Sequence, residues 1–132
     1  MENYTQYLQP ELAVNYCKLV VVTTDDPETT RQFRDDLGAT YPFLIDAERA
    51  LINELDIVDN TDAKHSPIPI PYTFVLDRRR EIYRIYNGWW YVGRPTVEEL
   101  RMDLRELMSR RDDYAYKRAW DDSEEARKDA FL

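Results

Sequence analysis

Apolar side chains at Tyr4, Tyr7, Leu8, Leu12 and Tyr16 fall close to i, i+3, i+4 spacing and predict a helix over residues 3–16. Pro10 must then sit near the start of that helix or kink it, because proline brings no N–H to the ladder. The run LVVVTT at 19–24 is β-branched and apolar on consecutive positions, which predicts a core strand covered on both faces in a parallel or mixed sheet. Asp26 can then cap a helix, Pro27 fits its first turn, and Glu28 favours its positive end. That helix is predicted over Pro27–Leu37, with Gly38 as its C-terminal stop.

YPFLI at 41–45 is a short apolar segment, followed by Asp46 as a cap for a helix holding Ala50, Leu51, Leu55 and Ile57. Residues 59–71, DNTDAKHSPIPIP, pack three prolines into five positions and read as a loop. Tyr72–Leu76 and Glu81–Tyr86 predict two antiparallel strands joined by the polar turn Asp77-Arg78-Arg79-Arg80. Thr96 and Glu99 form a T-x-x-E capping box after Pro95. Val97, Leu100, Leu104, Leu107 and Met108 supply the apolar stripe of a final helix ending near Ser109.

Residues 1–109 therefore read as one domain and 110–132 as a charged tail or helix. The tail carries six basic and seven acidic side chains but also Tyr114, Tyr116, Trp120 and Phe131, so it is either a solvated helix or a segment that docks on a partner. Trp89, Trp90 and Tyr91 cannot all face one core; they form either a partner anchor or a lid on their own domain.

Composition changes the picture mainly by exclusion. With 132 residues there is room for one compact domain. Eighteen basic against 26 acidic side chains give a net charge of −8, which repels polyanions and argues against nucleic acid as a partner. No apolar run approaches the roughly 20 residues of a membrane span, and the start MENYTQYLQPEL lacks the pattern of a signal peptide, so a cytoplasmic protein is expected. One cysteine and one histidine cannot by themselves fill a structural zinc site, and three glycines leave no P-loop or dinucleotide fingerprint. No cofactor or metal is expected. Asp25, Asp26 and Asp46 read as caps and turn residues, and His65 as a surface residue of the proline-rich loop.

Four motifs in one order carry a resemblance. KLVVVTTDDPE at 18–28 is similar to a "vvVS.D.pe" pattern, YPFLID at 41–46 to "fPllsD", PYTFVLD at 71–77 to "P.tFviD", and VGRPTVEEL at 92–100 to "vgR...E.l". These belong to the alkyl hydroperoxide reductase and thiol-specific antioxidant group of peroxiredoxins, which elaborate the thioredoxin fold. The resemblance implies an α/β protein with a thioredoxin-like mixed sheet flanked by helices, followed here by a helical C-terminal tail. It also implies that Pro71 is a cis proline facing a thiol site, with Ile70 turned so that its backbone faces a substrate, and Thr73 just after. Arg94 would match an arginine beside the thiolate, where it lowers the thiol pKa and polarises a peroxide. Read without the family, Arg94 is an arginine that salt-bridges Glu98 or another neighbouring acid.

The nucleophile is what the motifs lack. Family chemistry needs a thiolate at a helix N-terminus, and here the leading residues are Glu2, Asn3, Tyr4 and Thr5. Cys17 falls at the opposite end of the first helix, where the dipole disfavours the anion, and reads as structural. The chain is expected to lack the N-terminal strand that ordinarily lies between the strands at 19–23 and 72–76. Those strands then pair directly, receive a strand from another chain, or await an upstream segment. A protein partner or a homo-oligomer follows from the last two. The leading functional reading is a catalytically inactive, peroxiredoxin-like binding or assembly module. The alternatives are an active thiol-dependent peroxidase whose catalytic segment lies upstream or in trans, and a pseudo-enzyme subunit of a larger complex.

Overall fold

The computed structural model describes residues 1–61, 63–64, 66–88 and 93–111. A π-helical turn, Tyr4–Leu8, runs directly into α1, Gln9–Leu12. The predicted helix is thus shorter than residues 3–16, and Pro10 explains its form. The N–H of Gln9 reaches back five residues to Tyr4 O, and the widened turn brings the proline into the first turn of α1.

β1, Val21–Thr23, pairs in parallel with β2, Phe43–Ile45, in the register Val21 to Phe43, Val22 to Leu44 and Thr23 to Ile45. Between them α2 covers Pro27–Leu37 as predicted. Asp26 accepts from the N–H groups of Glu28 at 3.0 Å and Thr29 at 2.9 Å. Gly38 closes the helix in the left-handed region at φ 66°, its N–H on the last carbonyls. The expectation that β1 is covered on both faces is not met: Val22 is 41% exposed and its register partner Leu44 is 54% exposed. Consecutive apolar residues report what a strand can bury, and which elements arrive to cover it is decided elsewhere in the chain.

Asp46 accepts from Ile52 N at 3.1 Å but does not open a long helix; α3 is confined to Ala50–Glu54 and begins after Arg49, which is left-handed at φ 58°. The loop expected at 59–71 holds a small ladder: β3, Val58–Asp59, pairs antiparallel with β4, Ile68–Pro69. β5, Tyr72–Leu76, and β6, Ile82–Asn87, form the predicted hairpin, with an irregularity between Val75 and Leu76. Asp77 holds its turn by accepting from Arg79 N and Glu81 N. α4 covers Val97–Ser109 behind a complete capping box of Thr96 and Glu99.

The described strands make three two-stranded sheets, β1–β2, β3–β4 and β5–β6, so β1 and β5 do not pair directly. Tyr4, Leu8, Leu12, Val75 and Leu100 form the main core, where the leading helix meets α4 and the hairpin, with Leu19 at its margin. The same leading helix reaches the other side of the fold, where Thr5 Oγ1 lies 2.8 Å from Tyr41 Oη and Thr40 N donates to Gln9 Oε1 at 2.7 Å. Among the described residues no helix is long and apolar enough to cross a membrane.

Candidate functional site

The first turn of the leading helix is built on Met1, whose carbonyl accepts from Tyr4 N at 2.9 Å and Thr5 N at 3.1 Å. Tyr4 is buried and its hydroxyl donates to Pro95 O, which ties the lead-in to α4 against the start of the helix. Arg94 is thereby carried to that same end. Burial pushes the Tyr4 phenol up, and the Arg94 guanidinium works in the opposite direction.

An open hollow of about 380 Å³ lies here, lined by Met1, Glu2, Asn3, Phe33, Leu37 and Arg94. Phe33 and Leu37 come from one face of α2, and Phe33 meets Phe43 of β2 edge-on with ring centroids 6.2 Å apart. The salt bridge from Arg94 to Glu98 does not form: Glu98 pairs with Arg101 at 3.3 Å, and Glu99 Oε2 accepts from Thr96 N at 2.7 Å. Arg94 has no hydrogen-bond or ion-pair partner among the described residues. A cation presented at an apolar-sided hollow beside a helix start is suited to an anion or a polarised oxygen.

The other residues named for this site lie elsewhere. Ile70, Pro71 and Thr73 do not line the hollow. Ile70 N donates to Ile57 O and Ile70 O accepts from Tyr72 N, both at 2.8 Å. Both backbone groups of Ile70 thus have partners inside the chain. The cause is local: β4 pairs with β3 up to this residue, and a three-residue turn centred on Pro71 closes immediately after it. The cis peptide bond is Ser66–Pro67, and Ile70–Pro71 is trans. Thr73 stands opposite Tyr86 in the hairpin.

Cys17 is half-buried at the far end of the leading helix, its N–H on Leu12 O at 2.9 Å and its Sγ donating to Asn15 O at 3.1 Å. It lines a separate cavity of about 20 Å³ with Leu12, Asn15, Arg101, Leu104 and others. Burial pushes its thiol up, opposed by Arg111. Trp89, Trp90, Tyr91, Tyr114, Tyr116, Trp120, Phe131 and His65 lie outside the described residues.

Sequence reasoning passed over the polar contacts that orient α4. Asp103, 4% exposed, accepts from Tyr86 Oη at 2.6 Å and from Arg84 Nε at 2.9 Å. Arg101 forks onto Glu11 of α1 through Nη2 at 2.6 Å and Nε at 2.8 Å. The signal for Asp103 was its place beside Leu104 and three residues after Leu100, inside the apolar stripe, where a carboxylate must find a donor.

Solved structures with this architecture include AhpC of Mycobacterium tuberculosis, at 22% identity and a TM-score of 0.68, over 82% of this chain and 60% of that one. AhpC of Mycobacterium bovis matches at 22% identity and a TM-score of 0.63, over 85% of this chain and 59% of that one. AhpC of Enterococcus faecalis matches at 18% identity and a TM-score of 0.67, over 81% and 64%. The chain thus spans about three-fifths of the length of these relatives. No protein of curated function matches the sequence. The sequence profile of the AhpC/TSA family matches residues 2–85, which take in the leading helix, β1 and the first strand of the hairpin. The chain is a peroxiredoxin-like member of the AhpC/TSA family, with the thioredoxin fold.

Proposed function

We propose that this chain, as it stands, is a catalytically inactive peroxiredoxin-like protein that works as a binding or assembly module, in the cytoplasm, with a protein partner or in a homo-oligomer. One observation carries the reading: the hollow beside Arg94 is led by Met1, Glu2 and Asn3, while the sole thiol lies in a different cavity at the other end of the helix. A peroxide needs a thiolate in line with its O–O bond, and neither a carboxylate nor an amide at this position supplies one. Burial of Cys17 keeps its thiol protonated near neutral pH, so it is a poor nucleophile where it sits.

Hydrogen peroxide consumption with dithiothreitol, measured for the chain and for Cys17→Ser, tests this. Both are expected to match the rate without protein. Consumption that disappears with Cys17→Ser would overturn both the inactivity and the structural assignment of Cys17.

A second reading, an active thiol peroxidase whose catalytic segment lies upstream or is supplied in trans, is favoured by Arg94 standing at the helix start with no described partner. It predicts that a cysteine-bearing strand segment added to the chain restores peroxide turnover, and that Arg94→Ala abolishes the gain.

A further inference from the structure

The hairpin turn gathers three arginines on a chain whose net charge is −8. Asp77 N donates to Glu81 O at 2.9 Å and Arg80 N to Asp77 O at 3.0 Å, which closes the turn over Arg78, Arg79 and Arg80. Arg80 sits in the left-handed region at φ 67°, the position where such three-residue turns favour glycine. Asp77 Oδ1 accepts from the N–H groups of Arg79 at 2.8 Å and Glu81 at 2.9 Å, so that oxygen orders the backbone instead of pairing with a guanidinium. All three arginines are exposed, and the side chains of Arg79 and Arg80 have no hydrogen-bond or ion-pair partner among the described residues.

The strand residues that flank this turn are apolar and open. Leu76 and Ile82 stand opposite each other in the register and are 48% and 55% exposed. Two unpaired cations beside two exposed aliphatic side chains fit a segment that offers carboxylates next to an aromatic ring. The richest such segment of the chain is Trp120-Asp121-Asp122-Ser123-Glu124-Glu125, four acids in five positions after a tryptophan, with no base among them. It lies in residues 112–132, outside the described residues. α4 delivers the chain close to the turn. The guanidinium of Arg110, directly after α4, lies 5.1 Å from the centre of the Tyr83 ring. Tyr83 is three residues beyond Arg80, about 10 Å of strand. Asp121 is ten positions after Arg111, a span of about 15 Å as helix and roughly 33 Å extended, so the acidic run reaches the turn in either form.

We propose that the hairpin tip is a docking surface for the chain's own C-terminal segment, with Asp121, Asp122, Glu124 and Glu125 against Arg79 and Arg80 and Trp120 over Leu76 and Ile82. The tether favours this occupant over a separate acidic protein, because a site joined to its ligand by a short linker meets it at about millimolar effective concentration. Each exposed ion pair is weak by itself, so several pairs and the ring act together, and salt loosens them. None of these residues lines the hollow at Arg94 or the cavity at Cys17, so the docking is independent of whether the chain turns over peroxide.

The test is paramagnetic relaxation in the full chain, with Cys17→Ser to remove the other thiol and Ser123→Cys to carry a nitroxide. Broadening of the amides of Arg78–Ile82 is expected. Arg79→Asp with Arg80→Asp reverses the charge while keeping a residue that tolerates the left-handed position. It is expected to cut the broadening at least about threefold, as is raising sodium chloride from about 0.05 M to about 0.5 M. Adding Asp121→Lys and Asp122→Lys to the altered turn is expected to restore the contact with the charges exchanged. The unlabelled chain with its own Cys17 gives a second measurement. There the indole N–H resonance that Trp120→Phe removes is expected to move on Arg79→Asp with Arg80→Asp, while the far-UV circular dichroism spectrum stays unchanged. Broadening confined to residues outside the hairpin, or unaltered by the turn substitutions, would overturn the proposal, as would an indole resonance that does not move. Broadening that passes equally from a labelled chain to a separate copy would replace the chain's own tail by that of a second copy and overturn the intramolecular occupant.

Discussion

Asp103 joins the final helix to the hairpin, and replacing it separates the contributions of its two partners. Its carboxylate is almost fully enclosed, with Tyr86 Oη at 2.6 Å on one oxygen and Arg84 Nε at 2.9 Å on the other. A hydrogen bond to a charged, buried acceptor contributes about 1.5–3 kcal/mol, and the hydroxyl left behind in Asp103→Ala has no replacement acceptor. Asp103→Ala is therefore expected to destabilise the chain by about 2–3 kcal/mol, and Asp103→Asn, which keeps one acceptor oxygen, by roughly half as much. Arg84→Ala is expected to cost less than Tyr86→Phe, because the Arg84 side chain is 50% exposed and water already screens its pair. Urea unfolding followed by far-UV circular dichroism measures each change, and a double-mutant cycle of Tyr86→Phe with Asp103→Ala should give a coupling of about 1–2 kcal/mol. A coupling within the ~0.3–0.5 kcal/mol scatter of independent sites, or a larger effect of Arg84→Ala than of Tyr86→Phe, would refute this account.

Three further outcomes follow from local geometry and charge. Tyr86 has its phenol pushed up to about 12 by burial and then by the hydrogen bond to Asp103, so its contribution is complete below the ordinary value of 10.0 and is lost as pH rises through about 12. Tyr86→Phe should remove that alkaline fall from stability measured across this range. Glu11 is held low by its hydrogen bonds from Arg101, so its contribution is present above the ordinary value of 4.5 and lost on acidification; Glu11→Gln should flatten the acid limb of the same curve. A Cβ at Gly88 would collide with Pro71 O and press on Pro71 Cγ at 3.0 Å, so Gly88→Ala should cost about 1–3 kcal/mol in urea unfolding, against about 1 kcal/mol for Thr96→Ala, which removes only a cap.

Elements whose signals are local were legible in the chain. α2 is bounded by a cap, a proline and a left-handed glycine, and α4 opens on a reciprocal capping box, so a few adjacent residues determine where each begins or ends. The hairpin was readable for the same reason, its turn being held by Asp77 within five residues. The family was legible too, because its four motifs each sit at a strand end or a helix start. The β3–β4 ladder was not, since residues 58–59 and 68–69 meet across a proline-rich loop that offers no periodicity. Nor was the polar seam of Asp103, Arg84 and Tyr86, whose members are spread over 20 positions.

At the candidate site the division is sharper. Composition and order alone determined that these 132 residues hold a single thiol and that it follows the first helix. Only the tertiary structure decided that Arg94 reaches the helix start, through the contact of Tyr4 with Pro95, and that Ile70 spends its backbone on Ile57 and Tyr72. It alone decided that, among the described strands, β1 and β5 do not pair with each other. The reason is physical: caps and turns are closed by atoms a few bonds apart, whereas ladders, salt bridges and hollows depend on which distant segments are brought together, and that is settled by burial over the whole chain.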